Sequence, residues 1–291
     1  MTTLAGKTIL ITGASRGIGQ AIGLRCAKEK ANIIILAKHD LNANTTTNIY
    51  LAADQISDAG GSALALNVDV RDTEAVTSAV NEAVTQFGGI DVLINNVSAF
   101  CFADTLHTTP AQFDSLMAVN VRTTFLLSQI CFPHLKNALN PHIINISPPL
   151  DMEPQWFTKH LPFTMSKYGM SMCTLGLAAE FAAAKIAVNS LWPLTTIATT
   201  TIKDHFSPEV YEGSRWPTIM ADAVYEIVKK KASECTGKFL IDETVLREAG
   251  VTDFSNYAVD PNSPLIQDLF IPNEVIDNNH VHVALGKEQY K

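Results

Sequence analysis

Short apolar runs alternate with longer amphipathic stretches along most of the chain. Runs such as "TILIT" and "NIIIL" are apolar at nearly every position, which is typical of strands covered on both faces of a sheet. Seven runs are predicted to be strands, at 7–12, 31–38, 62–70, 90–96, 141–147, 185–193 and 237–242. Helical patterns fill the gaps, from the turn after the first strand to about Lys30 and then at about 50–59, 73–87, 110–136, 164–184 and 217–231.

This alternation predicts the fold class. Strands joined through helices make right-handed crossovers, so the strands run parallel and the helices cover both faces. We therefore expect an α/β protein with a doubly wound parallel sheet of about seven strands, formed by a single domain over residues 1–242. Residues 243–291 are predicted to be a C-terminal extension, packed on the domain or partly irregular, and the polar segment 39–48 an exposed loop.

Composition excludes several classes of function. The net charge of −8 over 291 residues argues against a broad nucleic-acid-binding surface, and the chain has no apolar run long enough to predict a membrane span. The five cysteines are scattered without a CxxC pair, so we expect neither a metal site nor a redox pair. With no secretory signal pattern and a C-terminal "EQYK" that is not a peroxisomal tripeptide, a cytoplasmic or other reducing intracellular location is expected.

A glycine-rich turn, "TGASRGIG" at 12–19, follows the first predicted strand and opens the first helix. Small residues let the backbone turn sharply and approach a pyrophosphate, and free N–H groups at the helix start attract the anion. A tight strand-to-helix turn alone is the alternative, but the flanking strand and helix favour a dinucleotide site. The residues predicted to bind the cofactor here are Gly13, Ser15, Arg16, Gly17, Ile18 and Gly19.

The end of the second strand indicates which dinucleotide binds. An Asp or Glu at this point would bind the ribose 2′-hydroxyl of NAD, but the strand ends in "LAKHD" with Lys38. Together with Arg16, Lys38 would favour a 2′-phosphate, hence NADP(H). A merely solvated Lys38 is the alternative, and Asp40 as a ribose ligand keeps NAD(H) open.

The order of several short stretches resembles that of a short-chain dehydrogenase/reductase over about residues 4–242. The stretches are "TGASRGIG", "NVDV" (67–70), "NNVS" (95–98), "VNVR" (119–122), "NIS" (145–147), "SKYG" (166–169) and "VNSLWP" (188–193). Further stretches, including "NISPPL", "SKYGMSM" and "FLIDE", resemble the hydroxysteroid dehydrogenase-like branch of that family. The resemblance implies a Rossmann-type fold, a nicotinamide cofactor and a homodimer or homotetramer, with the helices at 110–136 and 164–184 as interfaces.

The resemblance also implies roles for individual residues. In the cofactor cleft, Asp69 with its neighbour Val70 would contact the adenine end, Asn95 would line the wall, and Pro193 and Thr196 would lie near the nicotinamide amide and pyrophosphate. At the reaction centre, Asn120 would anchor a water relay, Ser147 would orient the substrate carbonyl, and Lys167 would bind the nicotinamide ribose and lower the pKa of a tyrosine four residues earlier.

That tyrosine is missing, because Phe163 stands four residues before Lys167. The i, i+4 spacing on one helix face is kept, but phenylalanine cannot deliver the proton, a step commonly worth about 10²–10⁴ in rate. Tyr168 is rotated by about 100° along the helix and is expected to point elsewhere. His160 would reach the site only if its loop folded over it, and the Ser147 hydroxyl is a poor acid.

Two hypotheses of different classes follow. The first is an NADP(H)-preferring oxidoreductase for a hydrophobic carbonyl/alcohol pair, with weak or absent activity, a substrate loop at 193–216 and an aromatic wall from Trp156, Phe157 and Phe163. The alternative is a non-catalytic nicotinamide-nucleotide-binding scaffold or redox sensor. Both predict nucleotide binding.

Overall fold

A seven-stranded parallel sheet forms the centre of the molecule in the computed structural model, which describes residues 3–38, 48–279 and 283–284. The strand order is β3-β2-β1-β4-β5-β6-β7, and every neighbouring pair is parallel. The strands are β1 (Thr8–Thr12), β2 (Asn32–Ala37), β3 (Ser62–Asn67), β4 (Val92–Asn95), β5 (His142–Ile146), β6 (Ala187–Trp192) and β7 (Phe239–Ile241). The predicted fold class is confirmed, and all seven strands lie within the predicted runs.

Successive residues of the central strands serve two different cores. Ile9 and Ile11 pack on one side of the sheet, while Leu10 between them packs on the other. Since side chains alternate across a strand, an uninterrupted apolar run is what a sheet covered on both faces requires. Helices α1, α2 and α9 cover the first side and α3, α5 and α6 the second. They are α1 (Gly17–Ala27), α2 (Ile49–Asp58), α3 (Thr73–Phe87), α5 (Thr123–Leu135), α6 (Leu161–Glu180) and α9 (Thr218–Lys229), with α4 (Pro110–Leu116), α7 (Thr200–His205) and α8 (Pro208–Glu212) shorter.

The helix predicted at 110–136 consists of three parts. Helix α4 begins with a capping box between Thr109 and Gln112, a π-helical turn follows at Met117–Arg122, and α5 continues to Leu135. By length and hydropathy alone this is the single described helical run that could cross a membrane. That is weak evidence, because Leu127 lies at 0% exposure in the core against the sheet.

The chain after β7 returns to the end of the sheet where the strands terminate. Helix α10 (Asp242–Glu248) follows β7 directly, and Phe270 further on is fully buried. Isolated bridges join Thr195 to Gln267 and Arg215 to Ala258. The C-terminal segment also forms a strand pair and a helix, β8 (Leu265–Ile266), α11 (Asn273–Asn279) and β9 (Val283–Ala284). Residues 39–47 of the predicted exposed loop, including Asp40, lie outside the described residues.

A buried ion pair ties this segment to the loop after β6. Arg215 and Glu243 are 3% and 0% exposed at their side chains and share a short hydrogen bond. The Arg247 Nε atom donates to the other Glu243 oxygen at 2.9 Å. Because a buried charge without its partner is strongly destabilising, this pair fixes the predicted substrate loop against α10.

Candidate functional site

A cleft of about 610 Å³ runs along the carboxyl ends of the parallel strands. Its wall comes from the loops after four strands, with Gly13 after β1, Lys38 after β2, Asn96 after β4 and Pro193 after β6. The strand order reverses between β1 and β4, and in open α/β sheets ligands bind at such a switch point.

The glycine turn leaves bare backbone at the start of α1. Gly13 and Gly17 line the cleft with φ of +69° and +58°, a region that side chains other than glycine rarely adopt. A Cβ on Gly13 would lie 3.1 Å from the Val97 Cα atom. The turn therefore leaves the backbone bare at Gly13 and Gly17 and presents N–H groups at a helix start, which fits the pyrophosphate of a dinucleotide. Predicted loop residues Ser15, Arg16 and Ile18 also line the cleft.

Gly19 acts behind the wall of the cleft. A Cβ there would lie 2.6 Å from the Asn96 Nδ2 atom, which donates to the Thr12 carbonyl at 2.8 Å. Gly19 thus makes room for the side chain that holds the turn after β1. The cleft is lined by Asn96, whereas Asn95 points into the core and donates to the Asn145 Oδ1 atom at 2.8 Å.

The end of the cleft near β2 and β3 carries three cations. Arg16, Lys38 and Arg71 line it together with one carboxylate, Asp69, and with Val70. The Arg71 Nε atom donates to Asp69 at 2.9 Å, and the Lys38 Nζ atom to the same carboxylate at 3.4 Å. Mainly through the Arg71 hydrogen bond, the pKa of Asp69 lies well below its ordinary value. Three cations against one carboxylate leave a net positive charge at this end of the cleft. The sequence analysis did not predict Arg71 as part of it.

The opposite end of the cleft holds Lys167 and Phe163, one turn apart on α6. Lys167 is 2% exposed. Its Nζ atom donates to the Ile146 carbonyl at 2.8 Å and lies 4.9 Å from the centre of the Trp192 ring. Burial lowers the pKa of Lys167 to about 7, and the nearby Asp268 carboxylate opposes this shift. Pro193 and Thr196 also line the cleft, and their place near the nicotinamide amide and pyrophosphate stays a prediction.

Two predicted catalytic residues lie outside the cleft lining. Ser147 is fully buried, and its hydroxyl group is 2.8 Å from that of Ser190. Asn120, in the π-helical turn, accepts from the Ala99 N–H at 2.8 Å and donates to the Ser166 hydroxyl at 2.9 Å. Their roles in orienting a carbonyl and anchoring a water relay stay predictions.

Tyr168 and His160, the two residues considered as proton donors in place of the missing tyrosine, do not line the cleft either. The Tyr168 hydroxyl donates to the Asp151 carbonyl, and its ring packs against Phe157, so it points elsewhere, as expected. The His160 Nδ1 atom is 3.2 Å from the Thr164 hydroxyl, and the His160 ring lies 6.1 Å from that of Phe163. Burial lowers the pKa of His160, which favours its neutral form.

The aromatic wall differs in composition from the prediction. Of the three predicted residues only Phe163 lines the cleft, since the Trp156 indole bonds to Asp151 and Phe157 packs on Tyr168. The remaining aromatic residues of the wall are Phe100, Phe102, Trp192 and Phe206. The alternation in "AFCF" after β4 was the signal for the first two. Asp268 and Leu269 of the C-terminal segment complete the wall, and no sequence pattern pointed to them.

Comparison with known proteins gives the family. The family model for short chain dehydrogenase matches residues 7–209. Hydroxysteroid dehydrogenase-like protein 2 of Danio rerio is 47% identical over 285 residues, which are 97% of this chain and 68% of that protein. The protein of the same name from Bos taurus is 49% identical over 272 residues, or 93% and 65% of the two chains. The chain thus spans about two-thirds of the length of these relatives.

Solved structures agree with this result. A putative dehydrogenase from Xanthomonas campestris is similar at a TM-score of 0.89 and 47% identity, covering 94% of this chain and all of that one. A metagenomic short-chain oxidoreductase in complex with NADP is similar at a TM-score of 0.68 and 25% identity, covering 82% and 98%. The chain therefore belongs to the short-chain dehydrogenase family and groups with its hydroxysteroid dehydrogenase-like protein 2 branch.

Proposed function

We propose that this chain is an NADP(H)-preferring short-chain oxidoreductase that acts slowly on a hydrophobic carbonyl/alcohol pair. The observation that carries the proposal is the continuity of one cleft, from the glycine turn through the cationic end to Lys167. Family membership supports the reaction class, and the NADP complex of a structural relative supports a nicotinamide dinucleotide as the cofactor.

The residues present fit a nicotinamide dinucleotide. The bare backbone of Gly13 and Gly17 would receive the pyrophosphate, and Lys167 would hold ribose hydroxyls at the far end. Arg16, Lys38 and Arg71 would surround a 2′-phosphate, which favours NADP(H) because guanidinium groups bind phosphate oxygens in pairs. When bound, the cofactor supplies or accepts the hydride.

The aromatic wall supports a hydrophobic substrate. Phe102 packs edge to face with Phe163 and with Phe206, at ring-centre distances of 5.3 and 5.4 Å. An apolar surface of this kind favours apolar ligands with few polar groups. It also keeps water away from Lys167, whose charge therefore acts in a medium of low polarity.

Phe163 is the reason for slow turnover. It occupies the place of the tyrosine that delivers a proton in related enzymes, and the hydroxyl groups of Ser147 and Tyr168 are bonded to other residues. This arrangement also supports the alternative, a nicotinamide-nucleotide-binding scaffold or redox sensor without turnover.

Calorimetry with NADP(H) and NAD(H), followed by rate measurements on Phe163→Tyr with a broad panel of carbonyl compounds, tests the proposal. We expect tighter binding of NADP(H) and a gain of about 10²–10⁴ in carbonyl reduction by Phe163→Tyr. Phe163→Leu is the matched control and should give no gain. Intact nucleotide binding without any gain would support the scaffold, and no binding of either nucleotide would contradict both functions.

We also propose a homodimer or homotetramer in a reducing intracellular compartment such as the cytoplasm. Four large apolar side chains on α5 and α6 are between 44% and 64% exposed, namely Phe125, Met165, Met172 and Leu175. An apolar helix face of this kind is typical of an interaction site. The free thiols of all five cysteines support the compartment.

A further inference from the structure

Asp268 brings a carboxyl group into the cleft from outside the strand-and-helix core. It lies in the C-terminal segment after β8 and lines the cleft together with Phe163 and Lys167, near enough to Lys167 for each charge to affect the pKa of the other group. No other Asp or Glu among the described residues lines this end, because Asp69 belongs to the cationic end. Asp268 is therefore the acidic side chain that shares a surface with the position of the missing tyrosine.

The backbone around Asp268 is held firmly. The Asp268 N–H donates to the Leu194 carbonyl at 3.1 Å, and the Trp192 indole donates to the Leu269 carbonyl at 2.8 Å. The next residue, Phe270, is fully buried, with its ring 5.4 Å from that of Tyr168 and 6.1 Å from that of Trp192. A carboxyl group on such a support keeps its position relative to the cleft.

The two oxygens of this carboxyl group differ in their hydrogen bonding. The Oδ1 atom accepts from the Leu269 N–H at 2.6 Å. The Oδ2 atom has no hydrogen-bond partner within the described ranges, and the residue is partly exposed in the cleft wall. An oxygen of this kind can carry a proton and present it to a ligand.

The charged groups that face Asp268 are Lys167 from α6 and Asp242 from the start of α10. Burial, with a further contribution from Asp242, raises the pKa of Asp268 to about 7, while Lys167 lowers it. Burial brings the pKa of Lys167 to about 7 as well. Because both pKa values lie near 7, each group is present in its protonated and its deprotonated form near neutral pH. In the described part of the chain, Lys167 and Asp268 form no ion pair within 4 Å.

We propose that Asp268 is a catalytic residue of this cleft and exchanges the proton that Phe163 cannot supply. The inference rests on the proposed function. When bound, the cofactor would supply a hydride to the carbonyl carbon, and the carbonyl oxygen would take a proton from the Asp268 carboxyl group. Solvent then returns a proton to the carboxylate, and the positive charge of Lys167 stabilises the carboxylate while it exists. Alcohol oxidation follows the same steps in reverse.

Asp268→Asn in the 291-residue chain is the principal test, because the amide keeps the acceptor for the Leu269 N–H and loses the exchangeable proton. We expect a fall of at least about 100-fold in single-turnover carbonyl reduction, with nucleotide affinity changed by less than about 3-fold. In the unsubstituted chain the rate should fall as pH rises through about 7, and this dependence should vanish in Asp268→Asn. Asp260→Asn, at a partly exposed position of the same segment that does not line the cleft, is the matched control and should change neither quantity.

The same substitution in a Phe163→Tyr background should lower the rate by less than about 10-fold, because the tyrosine then supplies the proton. An unchanged rate and pH profile in Asp268→Asn would overturn the inference. So would a loss of nucleotide affinity that matches the loss of rate, since this indicates a binding role. Nucleotide binding and an active Phe163→Tyr variant, but no turnover by the unsubstituted chain, would overturn the inference and leave the proposed function standing.

Carbon-13 NMR titration of aspartate side chains gives a readout that needs no turnover. We expect the Asp268 carboxyl group to titrate near pH 7, and its midpoint to rise in Lys167→Met because a nearby positive charge has been removed. A midpoint below about 5 would overturn the inference even if the variants failed to fold.

Discussion

At the scale of single residues, the Lys167 ammonium group is almost completely shielded from water and has no carboxylate within 4 Å among the described residues. The Ile146 carbonyl and the Trp192 ring compensate only part of its lost hydration. Its charged form is therefore less stable in the folded protein than in the unfolded chain, and its pKa is lowered.

Replacing Lys167 with methionine should stabilise the protein in a pH-dependent way. Between pH 7 and about 10.5 the unfolded chain binds a proton at this position that the folded protein does not, so wild-type stability rises with pH. The stabilisation by Lys167→Met should thus be largest below pH 7, on the order of 2–5 kcal/mol, and shrink towards pH 10. Urea denaturation at pH 6 and pH 10 without nucleotide measures this. The exposed control, Lys231→Met, should show no such trend, and a pH-independent effect of Lys167→Met would contradict the prediction.

The three cations at the other end of the cleft determine cofactor choice in our proposal. Removal of Arg16 or Lys38 by alanine should weaken NADP(H) binding by about 10-fold each, since a charge-assisted hydrogen bond is worth about 1.5–3 kcal/mol. NAD(H) binding should change by less than about 2-fold. Calorimetry of both nucleotides measures the ratio, with Lys231→Ala as the control. If both variants kept the NADP(H) to NAD(H) ratio, the 2′-phosphate would be held elsewhere.

At the scale of elements, the start of α1 is fixed by packing as well as by backbone conformation. Gly19 faces the Asn96 side chain, which in turn holds the backbone of the turn after β1. The glycine spacing therefore serves two purposes. Gly13 and Gly17 would allow a ligand to approach the backbone, and Gly19 allows α1 to approach the end of β4.

Gly19→Ala should separate α1 from the end of β4. The added Cβ would lie 2.6 Å from the Asn96 Nδ2 atom and 2.9 Å from the Ala14 Cα atom, and overpacking of this kind costs about 1–3 kcal/mol. Urea denaturation should show that loss, and nucleotide affinity should fall with it. Gly89→Ala has no atom within 4 Å of its added Cβ and should be nearly neutral. Equal stabilities of the two variants would contradict this account of Gly19.

The elements differ in how far the sequence predicts them. All seven strands were predictable, and the central ones most clearly, because a doubly covered strand such as β2, buried at 33–36, must be apolar at every position. The π-helical turn at Met117–Arg122 was not, because an extra residue in a turn leaves the helical period nearly unchanged. The sequence does not show which of Asn95 and Asn96 lines the cleft. Neighbouring side chains point to opposite sides of a strand, so a shift of one residue exchanges the position in the cleft for the position in the core. Asp268 is separated from Lys167 by about one hundred residues, and only tertiary packing brings them together.

At the scale of the whole molecule, α5 and α6 present four apolar side chains that the described chain leaves about half exposed. Met165, Met172 and Leu175 lie along α6 at helical spacing, with Phe125 on α5. The opposite side of α6 carries Phe163 and Lys167 into the cleft. Contact between two copies through the exposed side of α6 would therefore hold in place the helix that carries Phe163 and Lys167.

Substituting Met172 and Leu175 together by glutamate should dissociate the proposed oligomer. Charge placed in an apolar interface loses hydration without gaining a partner. Light scattering coupled to gel filtration should show a halved mass or less, and Leu139→Glu, at 92% exposure outside these helices, should leave the mass unchanged. A monomeric wild-type chain, or an unchanged mass of the double variant, would contradict this interface.

The late position of Asp268 and Leu269 in the chain has a consequence for biosynthesis. The sheet is complete in sequence at Ile241, whereas the last part of the cleft wall is translated about 27 residues later. At about 5–20 residues per second, a ribosome takes roughly 1–5 s to cover that interval. During it, the nascent protein has the sequence of all seven strands of the parallel sheet but lacks Asp268 and Leu269 in the cleft wall, and this is the stage at which a chaperone or an early-arriving nucleotide would protect it most.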